Sequence, residues 1–295
     1  MTSPARATWD DALPALLAGL LEEWQLVPDG VPTHGFVAVV LPVRTPGGRP
    51  AVLKVGFPDP GTEHEHLALR SWNGRGAVQL LRADPHRGAL LLERLHPEGL
   101  EDHWDLEACE VVAGLYARLH VPATPQLRTL TSYVEQGAAG LAALPRNAPL
   151  PRRLVEQALS LARDLVTDDA STGTLVHGDL HYGNVLAGDR EPWLAIDPRP
   201  LSGDPHYELA PMLWTRFDEL NASPAGLSLR EGIRQRFLTL VDAAELDEHR
   251  ARDWVVVRML DLARLRLQDP PGTERVTSTA DLLTMCVAVA KAVQD

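Results

Sequence analysis

Cysteines and long apolar runs are scarce in this sequence. Only Cys109 and Cys286 occur in the 295 residues, and their wide separation argues against a disulfide framework or a zinc site. No apolar run reaches the roughly 18 to 20 residues that a membrane-spanning helix requires. The first apolar run is flanked by acidic residues and has no basic leader, which is not the pattern of a signal peptide. We therefore expect a cytoplasmic protein in a reducing compartment, with no membrane partner.

Positive charge is also in short supply. The chain has 28 Lys and Arg against 40 Asp and Glu, which gives a formal net charge of -12. This charge repels nucleic acid and anionic membranes and attracts cationic ligands. We therefore predict no nucleic-acid partner and a small polar ligand, with a cationic one favoured by charge.

The pattern of apolar residues changes from β-rich to helical near residue 95. An amphipathic helix precedes two β-rich runs separated by the turn 45–48, which predict a hairpin. A helix starting at Thr62 follows. The predicted elements are helix 13–24, strands 36–43, 50–55, 78–82 and 88–92, and, further on, helices 106–119 and 154–165. We therefore predict an α+β fold with a β-rich N-lobe, residues 1–94, and a mainly helical C-lobe, residues 95–295.

A dense cluster of polar residues lies between two short predicted strands, 175–177 and 193–196. It runs His177-Gly178-Asp179-Leu180-His181-Tyr182-Gly183-Asn184 and matches the H-x-D-x-x-x-x-N catalytic loop of phosphoryl-transfer enzymes. Asp179 is the predicted base, because a carboxylate within hydrogen-bond reach can accept the proton of an attacking hydroxyl. His177 is predicted to support the loop through a backbone hydrogen bond rather than to act as an acid or a base.

The residues after this loop predict a metal site. Two short strands, 185–187 and 193–196, are joined by the turn 188–192, so Asp197 is expected to return beside Asn184. Mg²⁺ prefers oxygen ligands and keeps several of its waters, so one amide and one carboxylate suffice. Asn184 and Asp197 are therefore the predicted ligands of Mg²⁺.

A lysine on an upstream strand supplies the second half of a kinase-like site. Ala51-Val52-Leu53-Lys54-Val55 resembles the V-A-I-K strand, in which the lysine holds the α- and β-phosphates. Glu65 is its predicted partner and is favoured over Glu63, because it shares one helix face with Leu69 and Trp72. The alternative is that Glu65 closes a capping box with Thr62. Gly35 alone gives only a weak signal for a phosphate-binding loop.

Together with the string 196–210, these motifs resemble the aminoglycoside phosphotransferase family, and within it the streptomycin 6-kinase and hydroxyurea-resistance kinase branch. The resemblance implies a bilobal protein-kinase-like fold over nearly the whole chain, with ATP held between the lobes. It also implies that backbone groups of Glu93 and Leu95 pair with adenine. Asp204 is implied to brace the catalytic loop rather than to react.

The sequence after Asp197 indicates the class of acceptor. It runs into the next helix without the activation loop that would bind a peptide, so we expect a small-molecule acceptor in a pocket of the C-lobe. The candidate pocket residues are acidic or aromatic: Glu101, Asp102, Asp105, Glu208, Trp214, Trp254 and Asp261. An acidic pocket would suit a cationic aminoglycoside such as streptomycin.

Three alternatives remain open at this point. The first is a kinase of the same fold for another acceptor, such as an amino sugar, a choline-like alcohol or hydroxyurea. The second is a nucleotide-binding pseudokinase, and the third is a purely structural interaction protein. The sequence leaves open the oligomeric state, the preference for ATP or GTP, the acceptor hydroxyl and the role of the N-terminal helix.

Overall fold

Residues 4–35, 38–221, 226–269 and 277–294 are described by the structure, a computed structural model. The chain divides into two compact units. The first contains Met1–Glu98 and Leu186–Arg199, and the second contains Gly99–Val185 and Pro200–Asp295. The lobe limits inferred from the sequence, 1–94 and 95–295, stay a prediction.

The first unit is built on an antiparallel sheet. Its strands are β1 (Val27–Pro28), β2 (Thr33–His34), β3 (Ala38–Arg44), β4 (Pro50–Gly56), β5 (Leu80–Asp84) and β6 (Ala89–Glu93). They lie in the order β1-β3-β4-β6-β5, with β2 beside β3. The predicted hairpin is confirmed, because β3 and β4 pair antiparallel around a turn in which Gly48 has a φ of 79°. Phe36, predicted to begin the first of these strands, lies outside the described residues.

The two faces of this sheet have different neighbours. Helix α1 (Pro4–Glu23) contributes Leu13 and Leu20 to a core that includes Leu53 and Val55 of β4. Side chains alternate along a strand, so Lys54 lies on the face opposite this core. The helix is longer than predicted and begins at Pro4, a residue that suits the first helical position.

Helix α2 (Glu65–Trp72) begins later than the sequence predicts. Residues 60–64 form turns, and the helix starts at Glu65 rather than at Thr62. Its buried face contains Glu65, Leu69 and Trp72, the stripe expected from the sequence. The first turn of α2 thereby presents a carboxylate at the position where the sheet presents Lys54.

A short hairpin completes the first unit. Strand β8 (Val185–Ala187) pairs with β9 (Trp193–Ala195), as the sequence predicts. The backbone of Ala187 exchanges hydrogen bonds with the segment after β6: His96 N donates to Ala187 O and Ala187 N donates to Glu98 O, both at 2.9 Å. Two strands of three residues are not stable alone, so these bonds matter for the position of the hairpin.

The second unit is mainly helical. Its helices are α3 (Asp105–Leu119), α4 (Leu130–Ala142), α5 (Arg152–Val166), α6 (Ala210–Trp214), α7 (Phe217–Asn221), α8 (Leu229–Ala243), α9 (Glu248–Leu267) and α10 (Thr279–Ala292). Strand β7 (Thr174–Val176) pairs antiparallel with β10 (Leu201–Gly203). The sequence predicts β7 but not β10, because the Leu-Ser-Gly string of β10 carries no β pattern. Both predicted helices, now α3 and α5, are confirmed.

The core of the second unit gathers residues from α4, α5 and α9. Leu130, Val134, Leu165 and Val257 pack there around Trp254, whose side chain is completely buried. Tyr207, which follows β10, meets the Trp254 ring edge to face at 5.6 Å. None of the helices in the described ranges is long and apolar enough to cross a membrane.

Candidate active site

Lys54 is the centre of a buried ion-pair cluster in the first unit. Its Nζ donates to both carboxylate oxygens of Glu65, at 2.7 and 2.6 Å, and also to Oδ1 of Asp197. The side chains of Lys54 and Glu65 are only 10% and 5% exposed. Burial alone would lower the pKa of Lys54, but the two carboxylates raise it above the usual range. Lys54 therefore stays protonated, and its ammonium group is held in place by the two carboxylates.

The capping-box alternative for Glu65 is wrong. His64 is the residue before α2, and among the described residues no side-chain hydrogen bond caps this helix end. The Glu65 carboxylate instead reaches β4, where it binds Lys54. Lys54 and Glu65 also line a cavity of about 630 Å³ within the first unit, so a solute can approach the pair.

Asp197 is placed by the strand that precedes it. Strand β9 is attached to the segment after α2, because Val78 N donates to Ala195 O and Ala195 N donates to Gly76 O, both at 2.9 Å. Asp197 then takes a left-handed backbone, with a φ of 58°, a conformation that is uncommon outside glycine and clusters at functional sites. Its side chain is 44% exposed, so it can contact Lys54 and still accept a ligand.

Arg190, in the hairpin turn, has a role that the sequence does not predict. Its Nη2 donates to Glu93 Oε1 at 2.6 Å and to Ala77 O at 2.5 Å, and its Nη1 donates to Gly74 O. The Glu93 carboxylate also accepts from Gln79 N at 2.7 Å. Arg190 therefore ties the hairpin that carries Asp197 to β6 and to the loop after α2. An arginine in a turn is ordinary, so no sequence signal indicated this contact.

The predicted catalytic loop lies in the second unit and is held by its own side chains. Asp179 N donates to Nδ1 of His177 at 3.3 Å, and Nδ2 of Asn184 donates to the backbone oxygen of Asp179 at 2.8 Å. His181 Nδ1 accepts from Gly183 N at 3.1 Å. Because its amide nitrogen is used within the loop, Asn184 has its Oδ1 as the atom suited to a cation.

Gly178, in front of the predicted base, is bonded on both sides by buried side chains. Its N–H donates to Glu208 Oε1 at 2.8 Å, and its carbonyl accepts from Nη2 of Arg258. Burial raises the pKa of Glu208 to about 7, against the opposing effects of the Gly178 N–H and Arg258. From the sequence, Glu208 is a candidate for the acceptor pocket, and nothing in the sequence indicates the role of Arg258.

The assignment of Glu208 and Trp254 to an acceptor pocket needs correction. Their side chains are 1% and 0% exposed, so a solute does not reach them. Trp254 packs in the core and its Nε1 donates to Asp204 Oδ2 at 2.6 Å. The Asp204 carboxylate also accepts from Arg250 Nε, at 2.6 Å, and from His206. The bracing role implied for Asp204 stays a prediction.

The other predicted pocket residues differ in their surroundings. Asp105 accepts hydrogen bonds from the Tyr182 hydroxyl and from Arg236 Nε, so it helps to fix the Tyr182 side chain of the catalytic loop. Asp261 accepts from Tyr133 and Arg264. Two acidic residues of this group are exposed and one tryptophan is half-buried: Glu101, Asp102 and Trp214. The Glu101 carboxylate approaches Gly183, since a Cβ on that glycine would lie 3.2 Å from Oε1.

The oxygen atoms of the two side chains predicted to bind a metal ion are donors of the kind that a hard cation prefers. Within the described residues, no group of three or more His, Cys, Asp or Glu side chains is arranged to hold a metal ion. Mg²⁺ does not need such a cage, because it is commonly bound through one or two protein oxygens, phosphates and water. The two predicted ligands, Asn184 and Asp197, supply an amide and a carboxylate of that kind.

Comparison with solved structures identifies the fold. A crystal structure of a thermostable mutant of aminoglycoside phosphotransferase APH(4)-Ia, in a ternary complex with ADP and hygromycin B, matches 94% of this chain and 98% of its own with a TM-score of 0.62. The two sequences are 18% identical, so the likeness concerns the fold. The chain therefore has the protein-kinase-like fold of small-molecule kinases.

Sequence comparison then identifies the family. The model of the aminoglycoside/hydroxyurea antibiotic resistance kinase family matches residues 23–268. A streptomycin 6-kinase from Streptomyces glaucescens is 41% identical over 270 residues, 88% of this chain and 85% of that protein. A hydroxyurea phosphotransferase from Kitasatospora aureofaciens is 39% identical over 284 residues, 92% and 79% of the two chains. The chain belongs to the aminoglycoside/hydroxyurea antibiotic resistance kinase family.

Proposed function

We propose that this protein transfers the γ-phosphoryl group of ATP to a hydroxyl group of streptomycin or a closely related aminoglycoside. The observation that carries the proposal is the cluster of Lys54, Glu65 and Asp197. A buried lysine held by two carboxylates, one of them half-exposed beside it, is what a kinase needs to bind phosphates next to a cation. The family membership supports the same reaction.

The chain's own residues have separate roles in this reaction. Lys54 binds the α- and β-phosphates, and Glu65 keeps the ammonium group in position. Asp179 accepts the proton of the acceptor hydroxyl. The hydroxyl oxygen forms a bond to the γ-phosphorus while the bond between the γ-phosphorus and the ADP oxygen breaks. Bound Mg²⁺ would neutralise charge on the phosphate oxygens, and Asn184 and Asp197 are the side chains that would hold it.

Adenine recognition is proposed at the end of β6. The N–H of Glu93 already donates to Gln79 O at 3.0 Å. We therefore assign the carbonyl of Glu93 as the acceptor for the adenine amino group. The N–H of Leu95 is assigned to a ring nitrogen. This pairing would bind the base without any side chain.

Streptomycin is favoured over other acceptors by the negative charge of this chain and by the similarity of this chain to a streptomycin 6-kinase. Its guanidinium groups are attracted by a chain of net charge -12. Hydroxyurea is the second candidate acceptor, because a hydroxyurea phosphotransferase is 39% identical to this chain. Hydroxyurea is neutral, so it gains nothing from the charge. The reaction itself, with ATP as donor, is proposed to take place in the cytoplasm.

The test is phosphotransfer by the purified protein with ATP and Mg²⁺. Streptomycin, hydroxyurea, choline and an amino sugar are offered separately, ADP release is followed, and the product is identified by mass spectrometry. We expect streptomycin to gain one phosphoryl group. Release of ADP with hydroxyurea alone would mean that hydroxyurea, rather than streptomycin, is the acceptor. Binding of ATP without phosphotransfer to any acceptor would favour a pseudokinase.

Asp179→Asn tests the assigned base. The rate with the best acceptor should fall by roughly two to four decades, the scale of general-base contributions, while ADP binding by calorimetry is retained. Asp242→Asn, a change of an exposed carboxylate on α8, serves as the control. Full activity of the Asp179 variant would show that this carboxylate has another role.

A further inference from the structure

The turn that leads into α3 presents a tryptophan to solvent. This entry turn, residues 100–104, consists of the short helix Leu100–Asp102 followed by His103 and Trp104. Trp104 is 70% exposed. A single exposed apolar residue is ordinary, so the neighbours of this tryptophan decide whether it has a function. The entry turn lies in the second unit, which also contains the catalytic loop.

The entry turn is attached to the catalytic loop at two points. The Glu101 carboxylate lies beside the loop, because a Cβ built on Gly183 would be 3.2 Å from its Oε1. The Arg216 guanidinium lies over the Tyr182 ring, 4.8 Å from its centre, and its Nη1 donates to His103 O at 3.0 Å. The entry turn is therefore held next to the residues that we assign to proton transfer and metal binding.

The charge of Glu101 is left for a ligand. In the described ranges, no side chain forms an ion pair or a hydrogen bond with its carboxylate. The two arginines that reach this segment pair with other carboxylates: Arg216 Nη2 donates to Glu219 at 2.5 Å, and Arg236 Nε donates to Asp105 at 2.6 Å. Acidic residues in the first turn of α3 offset the positive end of that helix. A cation beside Glu101 is therefore not repelled by a neighbouring positive charge.

An exposed carboxylate and an exposed indole, three residues apart, suit a guanidinium ion. The flat guanidinium donates two parallel hydrogen bonds to a carboxylate, and it also stacks on aromatic faces, of which tryptophan binds cations best. It is more weakly hydrated than an ammonium group, so it leaves water more easily. A neutral acceptor gains from neither contact.

We propose that Trp104 and Glu101 recognise a guanidinium group of the acceptor, with the indole face covering the cation and the carboxylate accepting its hydrogen bonds. This inference rests on the proposed function and names the residues that select a guanidinium-bearing acceptor over a neutral one. The contact is made equally before and during phosphoryl transfer. Its loss is therefore expected in the KM for the acceptor rather than in kcat.

The experiment measures initial rates of the full chain, first with streptomycin varied at saturating ATP and then with ATP varied at saturating streptomycin. Trp104→Ala removes the ring, Trp104→Leu keeps an apolar side chain without a π face, and Trp104→Phe keeps a smaller ring. Glu101→Gln removes the charge and keeps the shape. Glu110→Gln, a change of an exposed carboxylate further along α3, is the control. Unfolding temperatures are recorded for every variant.

We expect Trp104→Ala and Trp104→Leu to raise the KM for streptomycin about two- to fivefold, the size of an exposed cation–π contact. The value for Trp104→Phe should lie between these variants and the wild type. Glu101→Gln should raise the same KM by about three- to tenfold, between the effects of an exposed ion pair and of a charged hydrogen bond. The kcat, the KM for ATP and the unfolding temperature should not change, and the control should match the wild type.

Three results would overturn the inference. One is a normal KM for streptomycin in Trp104→Ala or in Glu101→Gln. Another is a Trp104→Leu variant that equals the wild type, because the ring would then supply only apolar area. The third is a defect of Glu101→Gln in the KM for ATP alone, which would assign this carboxylate to the nucleotide.

Failure of the proposed function is a separate outcome. If the wild type does not phosphorylate streptomycin, streptidine, the ring of streptomycin that carries two guanidinium groups, is titrated by calorimetry into the wild type and into Trp104→Ala. Tighter binding to the wild type supports the guanidinium site without the reaction. Equal binding to both proteins, or binding to neither, overturns it.

Discussion

Lys54 shows how one side chain can be fixed by residues from two other elements. It comes from β4, Glu65 comes from α2, and Asp197 follows β9. A buried ammonium group without partners would lose its proton or destabilise the fold, because desolvation of a charge is expensive. The two carboxylates prevent this. We infer that the approach of phosphate oxygens replaces part of this pairing rather than creating a new charged site.

Glu65→Gln isolates the contribution of the Glu65 charge. The carboxamide retains the shape of the side chain, and Lys54 keeps its contact with Asp197, so the fold should survive. We expect kcat/KM for ATP to fall by roughly 10- to 100-fold, the equivalent of one charged hydrogen bond, measured by initial rates at saturating acceptor.

Glu63→Gln provides a matched control for that variant. The two glutamates are two positions apart in the chain, but the Glu63 side chain is 60% exposed and contacts His64. Its replacement should leave kcat/KM unchanged. Equal losses in the two variants would mean that the general acidity of this segment, rather than the pair with Lys54, supports nucleotide binding.

The predictability of individual residues depended on how far apart the partners lie in sequence. Asp179 and Asn184 share one contiguous motif, and Lys54 lies in a recognisable strand, so local spacing was sufficient. Glu208 and Arg258 meet Gly178 across 30 and 80 residues. A buried charge at such a distance cannot be told from a solvated one by sequence, which is why Glu208 was placed in the acceptor pocket.

At the scale of elements, the β8–β9 hairpin has too little of its own structure to place Asp197. Each strand has three residues, and isolated hairpins of this size are marginal in water. Its position comes from hydrogen bonds to neighbours, above all those of Arg190 to Glu93 and to the carbonyls of Gly74 and Ala77. Arg190 thus helps to position Asp197, the proposed metal ligand, from the opposite end of the hairpin.

Arg190→Ala should therefore impair the use of Mg²⁺. The variant removes one of the donors to the Glu93 carboxylate and takes the Arg190 donor from two backbone carbonyls, at a cost of about 1–3 kcal/mol per buried group left unsatisfied. We expect a higher Mg²⁺ concentration for half-maximal rate, together with a lower unfolding temperature, measured by rate titration and by thermal denaturation.

A comparison with Arg152→Ala separates these two effects. Arg152 pairs with Glu156 on the surface of α5, and both side chains are 59% exposed. Its removal should change neither quantity. If Arg190→Ala lowered the unfolding temperature but left the Mg²⁺ dependence intact, the hairpin would be a stability element without influence on Asp197.

At the scale of the whole molecule, periodicity predicted the succession of elements but not the membership of the units. The β-rich start, the helical remainder and the hairpin before Asp197 follow from local pattern. The assignment of 186–199 to the same unit as the first strands does not follow from local pattern. It depends on backbone hydrogen bonds that Ala187 and Ala195 each form with distant segments. Such contacts have no signature in side-chain patterning.

The net charge of the whole chain leads to a prediction that distinguishes the two candidate acceptors. A chain of net charge -12 attracts cationic streptomycin over distances comparable with the Debye length, which shrinks from about 10 Å at 0.1 M salt to about 3 Å at 1 M. The KM for streptomycin should therefore rise between these salt concentrations at saturating ATP, whereas the KM for neutral hydroxyurea should stay constant. Initial-rate measurements with both acceptors check this. A KM for streptomycin that ignores salt would mean that short-range contacts alone select the acceptor, and the acidic character of the chain would then have no part in recognition.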